Sequence, residues 1–459
     1  MDRRGFLTSA AAATGLAGLG WAGWPRAARA ADVILRPQPA RFKIGSAVTK
    51  NMLSLSPDAP PPEIWMTQGQ RFIADLENGL DEETTLHWHG IRVPARMDGV
   101  PYLAQDPVPA GQSFRYEFTP PDAGSYWYHP HCNTLDQMAR GLTGLIVVKE
   151  TADPGFDADL PVNLRDFRLG SDDQFIEFFK ARSASRGGTL GTVVTANWQV
   201  GLRLDAPAGG MVRVRLVATD PARIYKIRLA GALAVIVALD GQPVPGGQLP
   251  LGPDALLLAP GQRADLAVLM PGVEGAEVVI TTDKPGGATD LIRLRAVGIS
   301  LGRTFGDVPV LPPNPIAQPD LDQAEILEFV FGWAPGDRPQ PSLCGSLGYS
   351  FWSINRKSWP GDFPNPFAPL AEMALGKSYI LRLKNETEND HPIHLHGMTF
   401  QLLRSDKRAL LPLFTDTALL QAHETMDVAV VADNPGDWMF HCHVIEHQKT
   451  GLSGYLRVS

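Results

Sequence analysis

The chain is poor in cysteine, with three among 459 residues, which allows one disulfide at most. It also lacks any Lys/Arg cluster, and 41 basic against 49 acidic residues give a formal charge of −8. Such an acidic protein is poorly suited to nucleic acid or anionic lipid, so neither is expected as a partner. Beyond the first thirty residues no apolar stretch approaches the length that crosses a bilayer, and stable membrane insertion is not expected. With 44% hydrophobic and 20% charged residues the chain is neither disordered nor fibrous in type. What it has in quantity is turn formers, 45 Gly and 40 Pro, which favour many short strands over long helices.

Residues 1–30 read as an address. Arg3 and Arg4 lie in DRRGFLT, an Ala/Gly/Leu-rich run extends to Trp24, and Ala28-Arg29-Ala30 offers an A-x-A cleavage site. This is the pattern of a twin-arginine signal peptide, which implies the twin-arginine (Tat) export machinery as a partner and a periplasmic location. An uncleaved anchor fits less well, because the apolar run is short and rich in Ala and Gly. Removing the four Arg and one Asp of this leader from the 41 basic and 49 acidic residues leaves 37 and 48, a formal charge of −11. In an oxidising compartment two of the cysteines can pair. Cys442 sits between two histidines, so a disulfide, if formed, is expected between Cys132 and Cys344.

After residue 31 the texture is β throughout. QSFRYEF (112–118), GLIVVKE (144–150), VRVRLV (212–217), AVIVAL (234–239), ADLAVLM (264–270) and DVAVVA (427–432) are short, β-branched and often alternating. PAGQ, PDAG, DGQP, APGQ and DNPG punctuate them, as in antiparallel sandwiches or barrels. PDAGSYWYHPH (121–131) echoes NPGDWMFHCH (434–443), which predicts that the first and last parts of the chain are copies of one sandwich. No histidine occurs between His131 and His391, and a Pro-rich linker, VPVLPPNPIAQPD, runs from 308 to 320. Three sandwich domains are predicted, at 32–150, 155–300 and 318–459.

The histidines are concentrated. Ten of the eleven fall in four windows, HWH (87–89), HPH (129–131), HPIHLH (391–396) and HCHVIEH (441–447), and His423 alone stands apart. On a strand, side chains at i and i+2 leave the same face, so each His-x-His presents two imidazoles side by side. Four such pairs supply eight nitrogens, enough for a cluster of metal ions, though imidazole suits Zn, Cu, Fe and Ni alike. The window HCHVIEH narrows this. Alternation sends Cys442 to the face opposite His441 and His443, so the cysteine can serve one metal while its neighbours serve others. One cysteine with two histidines, here His447 and His391, is the ligand set of a blue-copper electron-transfer site.

In these windows the chain resembles the multicopper oxidases, a family that includes laccases, bilirubin oxidases, ascorbate oxidases and bacterial cuprous oxidases. HWHG, YWYHPH, HPIHLHG and HCHVIEH in this order form a specific signature. The resemblance implies an all-β chain of three cupredoxin-like Greek-key β-sandwiches, the second without copper ligands, and four copper ions. By motif position, the type 1 copper would take His391, Cys442 and His447, and the type 2 copper His87 and His394. One type 3 copper would take His89, His129 and His443, the other His131, His396 and His441. Electrons from a small-molecule or metal-ion donor would pass from Cys442 to the cluster and reduce O2 to water.

The resemblance also assigns tuning residues. Leu452 falls at the axial position of the type 1 site, where many bacterial members carry methionine. Asp98 matches a proton-relay acid beside the cluster, although Asp-Gly is also a common turn. Gln448 stands where several bacterial members have glutamate and cannot release a proton, so which acid serves that path stays open. Asp416, in FTDTALL, resembles an acid that contacts substrate or an extra copper near the type 1 site in some relatives, although a solvated loop acid fits the stretch as well. Glu446 is expected only to back up the ligands, Trp88 and Trp127 to pack the ligand strands, and His423 to lie in a surface turn. The activity implied is laccase-like, on phenols and aromatic amines. A cuprous oxidase would be expected to carry a Met-rich segment for soft Cu(I), whereas the eleven Met here are never closer than 13 residues. Oxidation of another metal ion stays open, and a copper-free scaffold is disfavoured because all eleven ligand residues are present.

Overall fold

The computed structural model describes residues 30–459 other than 253, 285, 337–341, 343, 346, 365 and 366, so the signal peptide expected at 1–30 lies outside the described residues except for Ala30. The regular structure of the described chain is almost wholly strand, arranged as three pairs of sheets with two small two-stranded sheets beside them. Alternation makes them. In Ser378–Asn385, for example, Tyr379, Leu381 and Leu383 turn inward while their neighbours stay partly exposed, the period-2 pattern of a half-buried strand.

The first pair joins a three-stranded sheet (Val33–Leu35, Phe72–Glu77, Ser113–Phe118) to a four-stranded one (Ile64–Thr67, Gly144–Lys149, Gly124–His129, His87–His89). One core that includes Leu76, Tyr116, Trp88, Tyr126 and Ile146 fills the space between them. The second pair, seven-stranded and five-stranded, spans Ala158 to Val297 around Leu164, Val214, Leu266, Ile280 and Leu294. The third, six-stranded and five-stranded, spans Glu325 to Val458 around Phe329, Leu381, Val428, Phe440 and Cys442. Neighbours in each sheet are often far apart in sequence, because the chain crosses between the two layers as in Greek-key sandwiches.

The echo in the sequence has a structural counterpart. Gly124–His129 pairs antiparallel with His87–His89, setting His129 opposite His87. Gly436–Cys442 likewise pairs antiparallel with His391–Leu395, setting His441 opposite His394. In both sheets the echo strand lies between a histidine strand and the last strand of its unit. The outer units are tied by a Cys132–Cys344 disulfide across 212 residues. Among the described residues no helix is long and apolar enough to cross a membrane.

Candidate metal centre

Local alternation aims the histidines. Trp88 points into the first core, its ring edge-on to Phe72, Tyr116 and Phe118, so His87 and His89 leave by the other face. Cys442 points into the third core, and His441 and His443 leave oppositely. The four His-x-His pairs meet where the first and third units face each other, with His87 stacked on His396 and His89 on His394 at ring separations of 3.9 Å. All eight rings are buried. Trp127 packs alongside, 4.9 Å from His89 and 4.5 Å from His129.

Ligand-capable nitrogens fall into groups whose members lie within 4.8 Å of one another: His89, His129 and His443; His131, His396 and His441; and His87, His89 and His394. A fourth group is His391, Cys442 and His447. There, the two Nδ1 atoms are 3.1 Å apart, and the Cys442 sulfur lies 3.6 Å from that of His391 and 3.5 Å from that of His447.

The ring orientations are fixed from outside. His87 Nδ1 meets the Asp98 carbonyl at 2.8 Å, His129 Nδ1 that of Pro130 at 3.0 Å, and His394 Nδ1 that of Asp416 at 2.9 Å. A carbonyl can only accept, so each Nδ1 carries the proton and each Nε2 keeps a lone pair. Those three Nε2 atoms, with both nitrogens of His443, have no hydrogen-bond partner among the described residues. Buried polar atoms are rarely left so. Burial, reinforced by neighbouring rings, holds His89, His129, His131, His396, His441 and His443 well below the usual range. His447 is pushed down to about 3 by burial, and burial raises the Cys442 thiol. Neutral imidazoles with free lone pairs and one thiol in a trigonal set with two of them fit copper.

Asp98 touches the cluster as well as forming a turn. It is fully buried, with Oδ2 2.8 Å from His396 Nδ1 and Oδ1 3.2 Å from His87 Nδ1. Gly99 makes this approach feasible: at φ +82° any Cβ would lie 2.0 Å from the Leu86 carbonyl oxygen. Leu452 is fully buried in the core that holds Cys442, and its carbonyl accepts the Cys442 N–H at 3.0 Å. Glu446 is buried against Thr189, whose N–H and hydroxyl it accepts, and burial raises its carboxyl. The Gln448 amide donates to His131 Nε2 at 3.2 Å. His423 is exposed at φ +55°, in a surface turn as expected.

Asp416 departs from expectation. It does not face a substrate near His447; it is buried at the cluster, with Oδ1 3.3 Å from His394 Nδ1 and 3.5 Å from His89 Nε2. Both oxygens are taken by Arg263, at 2.8 and 2.6 Å. Burial alone would raise this carboxyl, but the guanidinium holds it well below the carboxylate range. The reason is the strand Thr417–Leu420, which pairs with His391–Leu395 and carries residue 416 to the His394 end. Arg263 comes from the second unit, which has no histidine, and no sequence motif marked it. Nor did any mark Trp352, whose ring lies 4.6 Å from His447 and 5.1 Å from His391, or Arg186, whose carbonyl accepts from His447 Nε2 at 2.5 Å.

Paired β-sandwiches carrying a His/Cys site beside a eight-histidine cluster define a copper-dependent oxidoreductase. Multicopper oxidase family models match residues 38–153 and 345–459, and the chain belongs to the multicopper oxidase family. It is 29% identical to the multicopper oxidase MmcO of Mycobacterium tuberculosis, covering 94% of this chain and 87% of that one. It is 26% identical to Laccase-1 of Cryptococcus neoformans, covering 85% and 74%. The crystal structure of a multi-copper oxidase from Pseudomonas thermotolerans superposes with a TM-score of 0.83 at 38% identity, covering 94% of this chain and all (100%) of that one. The enzyme is therefore a laccase-like oxidase that takes electrons from a donor and gives them to O2.

Proposed function

We propose that the donors are phenols and aromatic amines, oxidised one electron at a time at His391, Cys442 and His447. The observation that carries one-electron oxidation there is the N, N, S triangle of those residues, joined through the Cys442 backbone to His441 and His443 in the cluster, and the scattering of the eleven Met favours organic donors over soft Cu(I). When bound, copper supplies a one-electron acceptor at the triangle and an O2-reducing centre among the eight histidines. We assign four ions: type 1 at His391, Cys442 and His447; type 2 at His87 and His394; type 3 at His89, His129 and His443, and at His131, His396 and His441.

The chain's own groups do the rest. Backbone carbonyls and Asp98 fix the tautomers that leave nitrogens free for metal. Asp98, against His396 and His87, is placed to relay protons to the site of O2 reduction. Leu452, buried beside Cys442, would offer no donor atom to a metal held by that triangle. The signal-peptide pattern supports export by the twin-arginine route to the periplasm, and the three sheet pairs support domains at 32–150, 155–300 and 318–459.

The test is O2 uptake by the copper-loaded mature protein, comparing kcat/KM for 2,6-dimethoxyphenol with that for Cu(I). A higher value for the phenol is expected. A higher value for Cu(I) would replace this reading with a cuprous oxidase, despite the scattered methionines.

A further inference from the structure

No ligand of the triangle reaches the surface: His391, Cys442 and His447 are each 0% exposed. The outer nitrogen of His391 is bonded to the Thr387 hydroxyl at 2.9 Å, and that of His447 to the Arg186 carbonyl. Arg186 belongs to a turn after the short helix Ala181–Ala184, pinned over the site by Thr189 on Glu446 and by Trp352 Nε1, which donates to the Ala184 carbonyl at 3.0 Å. A donor on a bulky body therefore meets the cap and not the ligands.

Among the described residues an aromatic path leads out. The buried Trp352 ring, beside His391 and His447, stacks on Trp333 with centroids 4.4 Å apart and planes 18° from parallel. Trp333 is 45% exposed. The stack is built into the sheet, because Glu325–Trp333 and Trp352–Ile354 pair antiparallel with Trp333 directly opposite Trp352, where side chains are cross-strand neighbours. The exposed Trp333 ring thus offers an aromatic surface against which a phenolic ring can pack.

We propose that Trp333 is the port through which electrons from polymer-borne phenols enter, crossing the Trp333 and Trp352 rings to the His391–Cys442–His447 triangle. This rests on the laccase-like substrate reading above. Each phenol gives up one electron to the port and its hydroxyl proton to solvent, leaving a phenoxyl radical. Four such electrons, with four protons, convert one O2 to two waters. The tryptophans undergo no net change.

The port is tested by anaerobic stopped-flow of the copper-loaded enzyme, following bleaching of its blue absorption by ferrocenemethanol and by the same ferrocene tethered to dextran. Trp333→Ala is expected to slow the tethered donor by about tenfold or more and the free donor far less, with copper content and midpoint potential unchanged. Trp333→Phe, which keeps a ring, is expected to fall between. An unchanged tethered rate overturns the port, as does equal slowing of both donors or a shifted potential, since Trp333 would then only pack. Ferrocene is no phenol, so a port that holds while phenol oxidation fails overturns the substrate reading alone.

Discussion

Arg263, from the histidine-free second unit, grips both carboxylate oxygens of Asp416 at 2.8 and 2.6 Å, and Asp416 in turn lies 3.3 Å from His394 Nδ1. The middle unit thus reaches the metal centre through one charge. Neither partner is exposed, and removing one half of a buried pair strands the other. Arg263→Met is expected to cost about 3–5 kcal/mol, read as a lower urea midpoint. It is also expected to lower copper content at the His87/His394 pair, which has the fewest histidines to hold it.

The same guanidinium faces a second carboxylate. Asp240 lies 3.3 Å from Arg263, accepts its backbone N–H at 2.7 Å and is bonded by Thr415, and the charged groups facing it are Arg263 and Asp416. Burial pushes Asp240 up to about 7, against the pull of Arg263. A carboxyl raised in the folded state contributes stability that is present below its unfolded value, near ~4, and lost as pH rises through about 7. Asp240→Asn removes that dependence. Its unfolding free energy relative to the native chain is expected to improve as pH climbs from about 4 to about 7 and to stay level above. A difference that does not vary with pH would show Asp240 ionised throughout.

Asp98, like Asp416, touches histidines of both outer units, in its case His87 and His396. Asp98→Asn keeps the shape of the turn before Gly99 but cannot release a proton. O2 consumption at saturating donor is expected to fall by about 10²–10⁴, the usual worth of a positioned acid or base. Anaerobic bleaching of the blue absorption, which needs no proton at the cluster, is expected to keep its rate. Loss of both together would mean that Asp98 only holds the histidines in place.

Residues whose role follows from spacing along one strand were legible in the sequence. His-x-His at period 2 fixed which face each ring takes, and Cys442 between His441 and His443 had to turn the other way, as Trp88 does between His87 and His89. The echo of 121–131 in 434–443 located two equivalent strands. Contacts made by backbone or by distant segments were not legible. The Arg186 carbonyl is the same atom in any residue, and Trp333 and Trp352 meet only because two strands 19 positions apart pair in one register. Asp416 could be recognised as an acid near the ligands, but not which end of the His391–Leu395 strand it would reach, since that depends on the register with Thr417–Leu420.

Leu452 carries the last expectation. Its side chain is wholly buried in the core that contains Cys442, and backbone bonds to Cys442 and His447 fix its position. Met is close to Leu in volume and unbranched, so Leu452→Met is expected to fit at a cost below about 1.5 kcal/mol. It would bring a thioether toward the triangle, and the weak axial ligand is one of the levers on the potential of such sites. A thioether donor stabilises the oxidised metal relative to the reduced one, so the midpoint potential is expected to fall, as read by redox titration of the blue absorption. With less driving force, oxidation of high-potential phenols should slow more than that of easily oxidised ones. A potential that stays the same or rises would mean that residue 452 does not occupy the axial position.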